Sequence, residues 1–215
     1  NGIADQSREV IVTGNFTGAN QTITTCNLII NSGVNLNFDS NGATSNSIIV
    51  EGNITVNGTF TVGDTESLLT ANGTVFTGVM TKIERSTPLT NIHDVTYWTT
   101  PVIGSTIGGT FANVDPTRIF RYNQSNDPTG DPNGANYYDV WEIPTLATVM
   151  INGRGYISEG PSTISYPGGR HQIEFNGRPN NGPVSRQVQF IADTNFDNDF
   201  NLVANGTKYC DTNHQ

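Results

Sequence analysis

The stretch "GNITVNGTFTVG", residues 52–63, decides the fold class of this chain. Its apolar residues Ile54, Val56, Phe60 and Val62 alternate with Asn and Thr, and glycines interrupt the run every five or six residues. A period of two is typical of β-strands with one buried face, and Gly and Asn permit tight corners between strands. The stretch therefore predicts two short strands joined by a corner.

Apolar runs recur around this stretch at intervals of about twenty residues. The runs begin at Leu28, Ile48 and Leu68, and each is followed by a glycine. A fixed period of this length, made of short strands and Gly or Asn turns, is the signature of a solenoid. We therefore predict a short right-handed parallel β-helix over residues 1–85, with residues 1–20 as its N-terminal cap.

Consecutive antiparallel hairpins are the alternative for this region, because Asn57-Gly58 is a typical two-residue hairpin turn. The pattern changes after the probable break at Ser86-Thr87-Pro88, where the repeat ends and aromatic residues and prolines become frequent. Short predicted strands with turns every ten to twenty residues indicate a β-sandwich or jelly roll over residues 86–215. The predicted fold class is all-β.

The composition is typical of an extracellular β protein. The 215 residues carry a net charge of −9 with only two lysines, Lys82 and Lys208, so the surface disfavours nucleic acid. No window approaches the roughly 18 consecutive apolar residues of a transmembrane helix, and no signal peptide is visible. For Cys26 and Cys210, separate thiols, an intrachain disulfide and a bond between subunits are all open.

The acidic stretch "DTNFDND" is a candidate metal site. Its oxygen-bearing residues stand at alternate positions: Asp193, Asn195, Asp197 and Asp199. Calcium loops use this spacing because the ion takes six to eight oxygen ligands. The complete loop motif also has a glycine at its sixth position and a distal glutamate, and neither is present here. Ca²⁺ and a solvated acidic turn are therefore the two interpretations.

The long loop of residues 123–139 is a candidate ligand site, because loops of this length are often functional. We predict that the ligand contacts its acidic, amide and aromatic residues: Asp127, Asp131, Asn133, Tyr137, Tyr138 and Asp139. Aromatic rings cover the apolar faces of sugars while polar groups bind the hydroxyls. The acidic members are also suited to Ca²⁺. Trp98 and Trp141 are expected in the core.

No pattern in the chain points to catalysis. The glutamates show no spacing that singles out the carboxylate pair of a glycoside hydrolase. Residues 15–63 contain only Asp39 and Glu51 as charged residues, so a lyase-type solenoid face is not expected. The three histidines have no metal-ligand spacing and are expected on the surface or in strands. A hydrolase or lyase is the least favoured hypothesis.

A series of motifs extends over most of the chain. In order, they are Lys82, Arg85 and Thr87, "YWTTPV" at 97–102, "RIFRYN" at 118–123, Trp141, "MINGRGYISEGP" at 150–161 and "FNGRPNNGPVS" at 175–185. In this order they resemble a module of large secreted surface proteins of gliding and environmental Bacteroidetes. The chain departs from that pattern after "FNLV" at 200–203, where "ANGTKYC" replaces a Gly-Asn-Pro-Tyr-Pro run.

The resemblance implies a substrate of type IX secretion that is exported to the cell surface. We therefore expect a non-enzymatic extracellular adhesion or structural module whose partners are glycans or surfaces. A variant of this hypothesis is a subunit of a surface fibre, because an open solenoid edge invites strand addition. The alternative is a carbohydrate-binding module of a secreted, multidomain polysaccharide-degrading enzyme.

Overall fold

The computed structural model of the chain describes residues 7–43, 45–79, 81–123, 141–188 and 202–203. In these residues the structure is all-β, as predicted, apart from the single-turn helix α1 (Ile107–Thr110) and a 3₁₀ turn at Pro116–Arg118. The predicted solenoid is confirmed. Its strands pair in parallel along three faces, which excludes the alternative of consecutive hairpins.

The three solenoid faces are made of strands that recur in the same order along the chain. Face 1 contains β1 (Glu9–Val12), β4 (Asn27–Ile30), β7 (Ile54–Val56) and β10 (Phe76–Gly78). Face 2 contains β2 (Phe16–Thr17), β5 (Asn35–Phe38), β8 (Thr59–Val62) and β11 (Thr81–Pro88). Face 3 contains β3 (Ile23–Thr25), β6 (Ser47–Val50) and β9 (Ser67–Thr70). The strands make three complete coils and begin a fourth; the right hand stays a prediction, based on the usual handedness of parallel crossovers.

Alternation within each strand builds the solenoid core. In the second and third coils most inward side chains, at every second strand position, are buried, and the fully buried members include Ile30, Phe38, Ile54 and Phe60. Burial of such a side chain contributes about 1.5–3 kcal/mol. Asn and Thr occupy many of the outward positions, where for example the Thr59 hydroxyl donates to Asn35 Oδ1 at 2.6 Å. The coils are therefore held by an apolar interior and by polar ladders outside.

The stacking register differs from the one that the apolar repeat indicates. Leu28 stacks on Ile54 in face 1, whereas Ile48 stacks on Leu68 in face 3. Leu28 and Ile48 are therefore on different faces. The twenty-residue interval between them is a coincidence of two faces that have the same alternating pattern.

Part of the predicted N-terminal cap forms the first coil of the solenoid. Residues 9–17, which we expected in the cap, form β1 and β2 and pair in register with the second coil. Phe16 is 45% exposed, while its register partner Leu36 in the next coil is 4% exposed. The described residues therefore leave the core side chains of the first coil partly uncovered.

Gly78 shows how closely successive coils approach at a corner. It has a φ of +95°, and a Cβ there would overlap the carbonyl of Val56 in the coil above. Gly73 has a similar φ of +91° but open space around the Cβ position. We expect Gly73→Ala to lower the free energy of unfolding by about 1 kcal/mol and Gly78→Ala by about 3 kcal/mol. Equal losses in urea denaturation would contradict the close contact between coils.

The solenoid continues directly into the second half of the chain. β11 pairs in antiparallel fashion with β17 (Arg170–Pro179) over eight residue pairs, and β17 also pairs with β13 (Val102–Ile103). Face 2 is thereby extended to six strands. The predicted boundary between residues 85 and 86 falls inside β11, which belongs to this continuous sheet.

A separate antiparallel sheet completes the second half. Its strands lie in the order β12 (Thr96–Trp98), β16 (Tyr156–Ser158), β14 (Ile119–Tyr122) and β15 (Trp141–Glu142). The predicted β-sandwich or jelly roll is not confirmed by this arrangement. Side chains from this sheet, from α1 and from β17 join the solenoid interior in one core, and Trp98, Ile107 and Phe175 are examples.

Polar contacts fix the corner of the third coil to β11 and β17. The guanidinium of Arg85 donates to the carbonyl oxygens of Gly63 at 3.1 Å and Glu66 at 3.3 Å. Arg170 forms an ion pair with Asp64 at 3.0 Å and donates to Ser86 Oγ at 2.7 Å. Burial lowers the pKa of Arg85, and the nearby Asp64 partly offsets this effect. The two halves are joined by these contacts as well as by the shared sheet.

Candidate functional site

The residues that the sequence analysis selected lie outside the described residues. This holds for the predicted ligand loop (Asp127, Asp131, Asn133, Tyr137, Tyr138, Asp139) and for the predicted metal site (Asp193, Asn195, Asp197, Asp199). Within the described ranges, no group of three or more His, Cys, Asp or Glu side chains is placed to hold a metal ion. Cys26 is half-buried, and Cys210 lies outside the described residues.

The antiparallel sheet instead carries aromatic residues on its outer side, of which Tyr97 is exposed and the others are half-buried. Its strand register places Tyr97, Ile157 and Phe120 side by side in one cross-strand row. Tyr122 and Trp141 form the next row. Directly opposed residues of antiparallel strands point to the same side of the sheet. We call the surface formed by these five residues the aromatic face.

Burial separates the two sides of this sheet. Trp98 and Tyr156 are opposed on the inner side and are 8% and 0% exposed, whereas Tyr97 is 64% exposed. The indole Nε1–H of Trp98 donates to Ser158 Oγ at 3.0 Å, so its polar group is satisfied in the core. The prediction that Trp98 belongs to the core is confirmed. Trp141 was predicted there too, but it is half-buried on the aromatic face.

Contacts on both sides of the sheet hold Trp141 in place. Its ring packs edge to face against Tyr122, with a centroid distance of 5.1 Å and an interplanar angle of 80°. On the other side of the sheet, Glu142 accepts from Arg121 Nε and Asn123 Nδ2, each at 2.6 Å. These bonds tie β15 to β14. The aromatic face is therefore positioned by the strand ladder and not by surface side chains alone.

A row of charged residues lies at one end of the aromatic face. Glu159 follows Ile157 on the same side of β16, and its carboxylate pairs with Arg118 Nη1 at 2.8 Å and contacts His93 Nδ1 at 3.2 Å. The Glu159 side chain is only 14% exposed, whereas Arg118 and His93 keep about half or more of theirs in solvent. The row thus offers hydrogen-bond donors beside the aromatic rings.

Sequence reasoning missed Tyr97 and Phe120 as candidate site residues. The signal was available in "VTYWTT", because consecutive aromatic residues in a strand must point to opposite sides. Tyr97 and Trp98 were therefore expected on opposite sides of the sheet, so only one of them could join a given core. Their assembly with Phe120 and Trp141 depends on the strand order β12-β16-β14-β15, which no local pattern encodes.

A buried histidine lies where the two halves of the chain meet. His171, on β17, is 1% exposed, and neither ring nitrogen has a hydrogen-bond partner among the described residues. Its ring packs edge to face against Trp98 with a centroid distance of 5.5 Å. Burial lowers the pKa of His171 to about 4, so the ring is neutral at pH 7. Its strand location agrees with the sequence-based expectation.

These features define a class of protein: a β-solenoid whose second face continues into an antiparallel, aromatic-rich second half. The chain belongs to the family described as "Domain of unknown function (DUF8693)", whose model matches residues 1–207. No curated protein and no solved structure matches the chain. None of the helices in the described ranges is long and apolar enough to cross a membrane.

Proposed function

We propose that this chain is a non-catalytic adhesion module of the cell surface and that its aromatic face binds glycans. In this proposal the solenoid is a stiff spacer and the antiparallel sheet presents the binding surface. The resemblance to secreted Bacteroidetes surface proteins supports an extracellular location and export by type IX secretion. The right-handed winding and a sandwich-like closure of the second half belong to the same proposal.

The observation that carries the proposal is a row of aromatic side chains, one exposed and the others half-buried, beside a row of hydrogen-bonding charges. A ring such as Tyr97 can stack on the C–H face of a sugar, while Arg118 and Glu159 bond its hydroxyls. An ordinary protein surface has single, scattered apolar residues, whereas here an exposed tyrosine adjoins further aromatic residues on one face of a sheet. Both considerations support a recognition surface.

The shared sheet supports the role of the solenoid as a spacer. β8, β11 and β17 form one continuous ladder from the solenoid into the second half. A force applied to the antiparallel sheet would reach this ladder and the coils through the shared core. This connection is what an adhesion module needs between its anchor and its binding face.

Self-association of such modules is proposed only through the first coil. Within the described residues all three strands of the first coil, β1, β2 and β3, are edge strands, whereas at the other end β9 and β10 are edge strands and face 2 is covered. At the other end β17 pairs with β11, and Asn181 donates to the carbonyl of Thr74 at 2.9 Å. This asymmetry favours pairing of two first coils over a fibre built by head-to-tail stacking.

The test is binding of the purified chain to a glycan array, with and without Ca²⁺, because the stretch Asp193–Asp199 is our proposed Ca²⁺ site. We expect the double variant Tyr97→Ala/Trp141→Ala to bind its glycan at least tenfold more weakly, because exposed aromatic anchors dominate such interfaces. Val75→Ala, at a 54% exposed apolar position on the solenoid, is the control and should bind normally. No binding to any glycan, or equal binding by the double variant, would remove the proposal.

A carbohydrate-binding module of a polysaccharide-degrading enzyme is the second candidate function. The aromatic face favours it equally, because the physical contacts with sugar are the same. The two differ in the ligand: an accessory module would retain plant or algal polysaccharides, whereas an adhesin would retain glycans of cell surfaces. Turnover of any polysaccharide by the chain itself would contradict both candidates.

A further inference from the structure

We propose that the aromatic face binds a neutral, linear glycan that crosses the strands and contacts the protein with about four consecutive sugar units. This inference rests on the proposed function and adds the charge, the direction and the length of the ligand. It follows from where the aromatic residues stand on the four strands and from the charges around them.

The positions of the aromatic rings set the direction and the length. Tyr97 stands on β12, Phe120 on β14 and Trp141 on β15, the outermost strand on that side. Adjacent strands are about 4.8 Å apart, so β12 and β15 are separated by about 14 Å. One pyranose unit of an extended glycan advances by a length similar to one strand spacing. A chain that crosses the sheet therefore places its first, third and fourth units over these three rings.

Ile157 stands at the remaining strand, between Tyr97 and Phe120. The aliphatic side chain of Ile157 would contact the second sugar unit, but it offers no ring for that unit to stack on. Trp141 belongs to the next cross-strand row, so a glycan that reaches its ring crosses the strands at an oblique angle. The twist between adjacent strands of a sheet favours such an oblique path.

The charges around the face select a neutral ligand. Glu159 pairs with Arg118 at the charged end, Asp115 lies within electrostatic range of the same guanidinium, and Asp94 directly follows His93, which contacts Glu159. Three carboxylates thus stand against one permanent cation, Arg118. Hydrogen bonds lower the pKa of Asp94, chiefly from Thr90, and that of Asp115, chiefly from Thr117, so both are ionised at neutral pH. Arg118 is already paired with Glu159. Uronate or sulfate groups on a glycan would therefore meet an excess of negative charge, which the net charge of −9 reinforces.

The experiment compares sugars that differ only in charge. The full chain is titrated calorimetrically with β-1,4-linked mannose oligomers of two to six units and with the corresponding mannuronate oligomers. Oligomers of β-1,4-glucose, β-1,4-xylose and β-1,3-glucose are further neutral arms, and galacturonate oligomers are a further acidic arm. We expect at least one neutral series to bind at least tenfold more tightly than any acidic series, with affinity rising to four units and then levelling.

A charge variant tests the selection directly. Asp115→Asn should narrow the preference for neutral over acidic oligomers, whereas Asp39→Asn, on the solenoid, should leave it unchanged. Acidic oligomers that bind as tightly as neutral ones, or a tightly bound disaccharide with no gain from longer chains, would overturn this inference. If this inference failed in either way but Tyr97→Ala still abolished the binding of the oligomers, the proposed glycan-binding function would remain supported. No binding of any oligomer, or capture of a protein partner alone, would overturn both.

Discussion

Replacing Phe60 with alanine is expected to lower the free energy of unfolding by about 3–5 kcal/mol. Phe60 is 1% exposed and points into the solenoid from β8, in register with Leu36 in the coil above and Thr81 in the coil below. Loss of its ring removes buried apolar area and leaves a cavity that neighbouring coils cannot fill, because their backbones are fixed by parallel ladders. Urea denaturation at neutral pH measures the loss.

Thr61→Ala is the matched control for this prediction. Thr61 is the next residue of β8 and points outward from the same coil. Its truncation should change the free energy of unfolding by no more than about 0.5 kcal/mol. If the two substitutions had similar effects, β8 would not have one buried and one solvated side, and the solenoid described here would be incorrect.

Lowering the pH from 7 to 4 is expected to reduce the free energy of unfolding by about 3 kcal/mol through His171 alone. The pKa of this group is about 4 in the folded protein and 6.5 in its unperturbed state. The unfolded chain therefore takes up a proton first as the pH falls. The contribution of neutral His171 to the free energy of unfolding is fully present above pH 6.5 and is lost progressively between pH 6.5 and about 4.

His171→Leu isolates this contribution. The leucine variant should lose much less stability between pH 6.5 and 4 than the wild type in urea denaturation, since an apolar side chain does not titrate. His93→Gln is the control, because His93 is exposed beside Glu159 and should leave the steep acid dependence in place. Parallel pH profiles for the wild type and His171→Leu would show that His171 is not a buried neutral group.

The solenoid was predictable because its signal is local. Alternation in "GNITVNGTFTVG" and the recurring corner glycines specify short parallel strands wherever one side is buried. The register was not predictable, because all three faces have the same alternation and the corners differ in length. Between faces 2 and 3, eight residues separate β5 from β6 in the sequence, whereas four separate β8 from β9.

The second half was less predictable because its pairings are non-local. Ser86-Thr87-Pro88 suggested a break, but these residues end β11, where Pro88 is tolerated at the strand terminus. β11 pairs with β17, which lies 82 residues later in the chain at the register pair Pro88 and Arg170. The aromatic face depends on this topology in the same way. Its residues are recognisable one by one, but their neighbours are set by strand order.

The most direct test of the central claim, that the aromatic face binds a glycan, is the NMR signal of the two indole N–H groups. The chain has only two tryptophans. The indole N–H of Trp98 donates a hydrogen bond to Ser158 in the core, whereas Trp141 lies on the aromatic face. On addition of a bound neutral oligosaccharide, the Trp141 signal should shift saturably while the Trp98 signal stays in place. Saturable binding with an unmoved Trp141 signal would contradict the account.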